Sequence, residues 1–156
     1  MAETTDDRLA SLGIELPSPA APAANYVPFV VSGNHIYVSG QIPVLAGEIR
    51  YAGRLGDDMS VDDGYQAARL CGLNIIAQVR AACDGDFSRV KRVVKLGGFV
   101  SCTADFTDQP KVINGASDLM VEVFGDTVGQ HARFAVGAPS LPLGVAVEVD
   151  AVVEIG

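Results

Sequence analysis

Apolar residues along this chain recur in two rhythms, and each change of rhythm marks an element. Between Ser60 and Ala82 they fall at three- and four-residue steps (Tyr65, Ala68, Gly72, Ile75, Val79, Ala82), which is one stripe of a helix. Ser60-Val-Asp-Asp63 in front of that stripe fits an acidic variant of the capping box, and Asp84-Gly85-Asp86 ends it. A second stripe, Ile113, Ala116, Met120, Val123 and Phe124, predicts a helix that starts near Asp108. Pro110 suits its first turn and Gly125 its C-cap. Strand patterns occupy 27–31 and 35–39, a hairpin around Ser32-Gly33-Asn34. Another runs from about Val90 to Val100, where Gly97-Gly98 signals a bulge or a close approach of another backbone. Two strands finish the chain, and a short one is expected at 48–51. Residues 4–12 read as a short helix, and Pro17-Ser-Pro-Ala-Ala-Pro-Ala-Ala24 as a linker whose prolines force extended backbone.

The order reads β-β-α-β-α-β, an α+β layer with two helices on one face of a sheet. No internal repeat and no second compact domain is visible. Residues 1–24 are expected to be an N-terminal helix and linker, and 25–156 the domain itself. Two helices cover only one sheet face. The other is therefore expected to be buried against copies of the chain, which predicts a homo-oligomer with functional residues near its seams.

The two final strands carry the candidate chemistry. Arg133 opens one of them, and Glu148 lies inside the other, fifteen residues on. Alternation places Glu148 on one side with Ala146, Asp150, Val152 and Glu154, opposite Val145, Val147, Val149, Ala151 and Val153. Burying an unpaired charge is expensive, so a carboxylate in such a strand asks for a use. If the Leu-Pro-x-Gly connection folds the second strand back on the first, Arg133 and Glu148 meet at a shared cleft. A guanidinium grips a carboxylate bidentately, and a nearby glutamate moves protons, which is what an enzyme for small acids requires. The same two residues would equally serve as a structural ion pair. Asp150 and Glu154 read as a solvated or interface edge.

Composition narrows the field. The 156 residues, 49% of them hydrophobic, suffice for one core, yet no apolar run approaches the length of a membrane span. The acidic start lacks the pattern of a signal peptide, so a cytoplasmic location is expected. Net charge is −8 with only eleven scattered Lys and Arg, which argues against nucleic acid as a partner. The three cysteines, Cys71, Cys83 and Cys102, lack metal-ligand spacing and read as buried thiols. No phosphate-cradling glycine loop, dinucleotide fingerprint or Gly-x-Ser-x-Gly elbow is present, and neither metal nor cofactor is expected.

Several segments together resemble the Rid/YjgF family of reactive-intermediate deaminases, with its chorismate-mutase-like (bacillus type) fold. They are Asn25-Tyr26-Val27, the run from Gly33 through Ser39-Gly40-Gln41-Ile42-Pro43, Asn114, Ala132-Arg133-x-x-Val136, Leu141-Pro142 and Val147-Glu148-Val149-Asp150-Ala151. The resemblance covers roughly Asn25 to Ile155. The N-terminal helix and the long 44–60 loop are similar to the longer branch, labelled endoribonuclease L-PSP-like. It implies a homotrimer with clefts between subunits. There Arg133 would bind the carboxylate of an enamine or imine acid such as 2-aminoacrylate, and Glu148 would position or activate the attacking water. Tyr26, Ser39, Gly40 and Asn114 match residues that line the substrate. The deaminase branch usually carries a cysteine two residues after the arginine, where this chain has Ala135, and Cys102 lies too far along the sequence to replace it.

Three classes of function follow. The first is hydrolytic deamination of small enamine or imine acids to 2-ketoacids and ammonia. The second is a non-catalytic trimer that binds small carboxylates or ketoacids at the same arginine. The third is chorismate-mutase-like or endoribonuclease activity, which the lone well-placed arginine and the acidic charge fit least well.

Overall fold

The computed structural model describes residues 2–19, 21 and 25–156. The expected linker over 17–24 thus lies partly outside the described residues. Among the described residues seven strands and three α-helices follow one another as α1 (Thr5–Ser11), β1 (Phe29–Ser32), β2 (His35–Gln41), β3 (Val44–Leu45), β4 (Glu48–Ile49), α2 (Val61–Ala82), β5 (Val90–Ser101), α3 (Gln109–Gly129), β6 (Ala132–Ala138) and β7 (Val147–Ile155). Five strands form one mixed sheet in the order β1-β2-β7-β5-β6, and β3-β4 is a separate small ribbon. Both closing strands enter the sheet. Its elements therefore run β-β-α-β-α-β-β, one strand longer than the expected order. The small ribbon also differs from the expected short strand: it uses Val44–Leu45 and stops at Ile49.

Helix starts follow local chemistry. The Thr4 hydroxyl accepts from the Asp7 N–H while Asp7 accepts from the Thr4 N–H, a full capping box for α1. At α2 only half of that device is present, the Ser60 hydroxyl accepting from the Asp63 N–H at 3.1 Å. Gly125 breaks α3 with φ 89°, but helical turns continue to Gly129, so it marks a kink rather than the end. A Cβ at Gly125 would strike the Arg8 guanidinium of α1, which packs there.

α2 and α3 lie side by side on one sheet face. Their contact requires Gly115, where a Cβ would fall on the Tyr65 carbonyl of α2. Ile75, Ile76, Val79, Ile113, Leu119 and Met120 meet Ile36, Val93, Leu96, Val100 and the odd-numbered positions of β7 from 147 to 155, all buried. The two glycines of β5 are indeed close approaches. A Cβ on Gly98 would meet Ile113 at 2.7 Å on the helix side, and one on Gly97 would meet Phe134 and Asp150 on the other side. The register irregularities of β5 lie elsewhere, between Val90 and Lys95.

The opposite face is open. Val30, Tyr37, Phe99 and Val136 remain 39–50% exposed there, around Glu148 and Asp150. Phe99 and Phe134 meet edge-on at 5.4 Å between centroids, and the Lys95 ammonium caps Phe134. No helix among the described residues is long and apolar enough to cross a membrane.

Candidate functional site

β5 and β6 pair in parallel, with Leu96 opposite Arg133 and Gly98 opposite Ala135. Leu96 is fully buried beneath the helices, so Arg133, Ala135 and Gly137 share the helix-side face. β6 is the sheet edge, and the Arg133 side chain lies along α3 at the margin of that face. Its Nη1 donates to Asn114 Oδ1 at 2.8 Å and to Ser117 Oγ at 3.1 Å, and Nη2 reaches the Pro110 carbonyl at 3.5 Å. Pro110, Asn114 and Ser117 stand at i, i+4 and i+7, one polar stripe of α3. Among the described residues Arg133 has no carboxylate partner. Its planar fork is fixed on one side and free on the other.

Behind the arginine runs a half-buried relay. His131 Nδ1 lies 2.7 Å from the Gly129 carbonyl and Nε2 lies 2.9 Å from Ser117 Oγ. A carbonyl only accepts, so the proton belongs on Nδ1, and Nε2 accepts from the Ser117 hydroxyl. Ser117 Oγ in turn accepts from Arg133. Burial pushes the His131 pKa down, and the charges of Arg133 and Arg92 add to that shift against the bond to Gly129. A neutral imidazole therefore orients the serine that orients the arginine. Neither Ser117 nor His131 stood out as a site residue in the sequence. The available signal was the spacing of Asn114 and Ser117 along one helix stripe.

Glu148 belongs to the other face. It aligns with Phe99 of β5 on the open side. β2 bulges between Val38 and Gln41, and the bulge brings Gly40 against it: a Cβ on Gly40 would lie 2.6 Å from Glu148 Oε2. The neighbouring Ser39 hydroxyl donates to the Val27 carbonyl at 2.8 Å, which ties down the backbone beside the exposed Tyr26. Burial pushes the Glu148 carboxyl up from its ordinary value, and the Asp150 charge on the same face adds to it.

The structure thus gathers the expected residues into two groups. Arg133 and Asn114 form one; Glu148, Gly40, Ser39 and Tyr26 form the other. Within one chain Arg133 and Glu148 do not meet, either as a cleft or as an ion pair. β7 does not fold back onto β6, because β5 lies between them. Arg133 aligns through Leu96 with Ala151, three residues from Glu148 and on the opposite face.

Cys71 and Cys83 are buried free thiols, and burial raises the pKa of both. Cys102 is closer to the arginine strand than its sequence position suggests. A Cβ on Gly137 would lie 2.7 Å from its Sγ, so the thiol sits on the face of Arg133 and Ala135. Among the described residues no group of three His, Cys, Asp or Glu could hold a metal ion.

The sequence pattern of the family described as YjgF/chorismate mutase-like, putative endoribonuclease, matches residues 6–155. The chain is 53% identical to Protein TCP17 of Trypanosoma cruzi over 147 residues, 94% of this chain and 91% of that protein. Protein Atu1372 of Agrobacterium tumefaciens superposes with a TM-score of 0.90 at 50% identity, covering 97% of this chain and 92% of that one. A putative endoribonuclease of Shewanella oneidensis MR-1 gives a TM-score of 0.93 at 40% identity, covering 97% and 99%. By sequence and by fold alike, the chain belongs to the Rid/YjgF family.

Proposed function

We propose that the protein hydrolyses small 2-imino (enamine) carboxylic acids to 2-ketoacids and ammonia, at clefts between the copies of a homotrimer. The observation that carries this reading is the free fork of Arg133, held by Asn114 and Ser117 with no carboxylate of the described chain upon it. Among the described residues its Nε–H and second Nη2–H are left for a ligand. A bidentate contact there fixes a substrate carboxylate and with it the adjacent imine carbon.

In this reading a neighbouring copy supplies Glu148, Gly40, Ser39 and Tyr26 opposite that arginine. The exposed apolar residues of the open face support such assembly. A glutamate in a partly dehydrated setting suits the proton traffic. Water adds to the imine carbon as Glu148 takes its proton. The carboxylic acid so formed returns that proton to nitrogen, giving a carbinolamine. Glu148 then carries the hydroxyl proton to the amine, the C–N bond breaks, and ammonia leaves behind a ketone. The overall change is imine plus water to ketone plus ammonia. Positioning and proton transfer from these side chains account for each of those steps.

Ala135, where the deaminase branch carries cysteine, favours a second reading: a trimer that binds small carboxylates or ketoacids without turning them over. One assay separates the two. Imino acids generated in situ by an amino-acid oxidase should lose ammonia faster with the protein than without it, and Glu148→Gln should remove most of that acceleration while preserving ketoacid binding. A rate equal to the spontaneous one across aliphatic and acidic imino acids would leave only the binding reading.

A further inference from the structure

The face shared by Arg133, Ala135 and Gly137 does not end at the arginine. It runs into a cleft of about 440 Å³ whose lining includes Gly137, Cys102, Gln109, Thr103, Phe106 and Arg54. Gly137 lies four residues from Arg133 on one strand face, roughly 13 Å along β6 at a strand's rise. The Arg133 guanidinium leans toward this cleft, since Nη2 approaches the Pro110 carbonyl and Gln109 is the next residue along α3. Only Gly137 keeps the floor low: a Cβ there would meet both the Cys102 sulfur and Gln109 Nε2, at 2.7 and 3.0 Å.

Arg54 comes from the long 44–60 loop, yet its position is fixed. Leu55 is fully buried, its N–H donates to the Ser101 carbonyl, and its carbonyl accepts from the Thr103 N–H. Arg54 Nη2 then donates to the Cys102 carbonyl at 3.4 Å, which holds the guanidinium at the cleft wall. Among the described residues it has no carboxylate partner. Three of the acids nearby are engaged elsewhere. Asp58 accepts the Arg54 backbone N–H at 2.7 Å, Asp105 accepts from the Thr103 hydroxyl at 2.8 Å, and Asp108 pairs with Lys111.

We propose that Arg54 forms a second anion-recognition subsite in the cleft beyond Arg133, and that the substrates are 2-imino and 2-oxo acids with a second, distal carboxylate. The proposal rests on the reading that Arg133 binds the first carboxylate. With Arg133 on the strand face of Gly137 and Arg54 on the wall of the cleft beyond it, two guanidinium groups discriminate by length as well as charge, while the Gln109 amide, its N–H groups held by the Phe106 carbonyl and the Cys102 sulfur, lines the cleft. The 44–60 loop is then a specificity element that delivers one arginine.

Calorimetry with 2-oxoglutarate, 2-oxoadipate and 2-oxobutyrate tests this on the intact protein. The wild type should bind the better-fitting dicarboxylate at least about tenfold more tightly than 2-oxobutyrate, as a desolvated charge pair allows. Arg54→Gln should bring that ratio to within about twofold, while Arg54→Lys should retain part of it. Circular dichroism checks that the variants fold, and the anchoring of Leu55 by backbone bonds leaves the loop intact in both. Equal wild-type affinities for the three acids, or a preference that Arg54→Gln leaves unchanged, would overturn the subsite while sparing the Arg133 reading. Binding of 2-oxobutyrate that Arg133→Lys does not weaken would instead overturn the reading beneath it.

Discussion

Arg133 and Glu148 stand on opposite faces of one sheet, with β5 between their strands and a register offset of three residues. At strand spacings of about 4.8 Å and a rise of about 3.3 Å per residue, their backbones lie roughly 10 Å apart in each in-plane direction. No rotamer joins them across a packed sheet. If one reaction uses both, two copies of the chain must contribute, and the edge position of β6 leaves Arg133 accessible to a neighbour.

Asn114→Ala should weaken ketoacid binding without unfolding α3, because alanine is a better helix former than asparagine. The lost bond is charge-assisted, so the cost should be about 1.5–3 kcal/mol of ligand affinity. Calorimetry with 2-oxobutyrate reads it. Unchanged affinity would mean that Ser117 alone holds the guanidinium.

Gly40→Ala should separate binding from turnover. Its new methyl would press on Glu148 Oε2, the mobile end of a side chain, so the fold should survive while the carboxylate moves. A displacement of about 1 Å can cost on the order of 10²-fold in rate. The expected result is a large fall in kcat with ketoacid affinity retained; full activity would remove Glu148 from the reaction.

The half-buried relay predicts an acid-sensitive stability. His131 has a folded-state pKa below its ordinary 6.5, so the unfolded chain binds the proton more readily. The stability that this neutral imidazole contributes is present above about pH 6.5 and is lost as pH falls through the lowered value. Thermal melts between pH 7.5 and 5 should show a slope that flattens in His131→Gln, since glutamine can still bridge Gly129 and Ser117. An identical slope in both proteins would assign the acid response to other groups.

Much of the fold was legible in the sequence. The centre of each helix stripe packs as its spacing predicted, although Tyr65 and Ala82 at the ends of the α2 stripe are only half-buried, and the glycine pair of β5 marks two real close approaches. The strand neighbours were not legible. Leu141-Pro142-Leu143-Gly144 signals a turn, and Leu143 and Gly144 do adopt φ of 60° and 71°. Turn chemistry, however, does not say whether β7 returns beside β6 or passes to the far side of β5. Alternation likewise assigns faces within a strand but not between strands, so Arg133 and Glu148 were expected together. Ser117, His131 and Arg54 escaped notice for a related reason: each acts across elements far apart in the chain.

The most direct test of a shared site is complementation. Arg133→Ala and Glu148→Gln chains, each inactive alone, should be co-expressed so that mixed assemblies form. A cleft with Arg133 from one chain and Glu148 from the other is then native. With random 1:1 assembly about a quarter of the clefts have both residues, so roughly a quarter of the wild-type imine hydrolysis should return. Light scattering on the same samples should give three chains per particle. Activity no greater than the sum of the two parent variants, in particles shown to contain both chains, would contradict a site divided between copies.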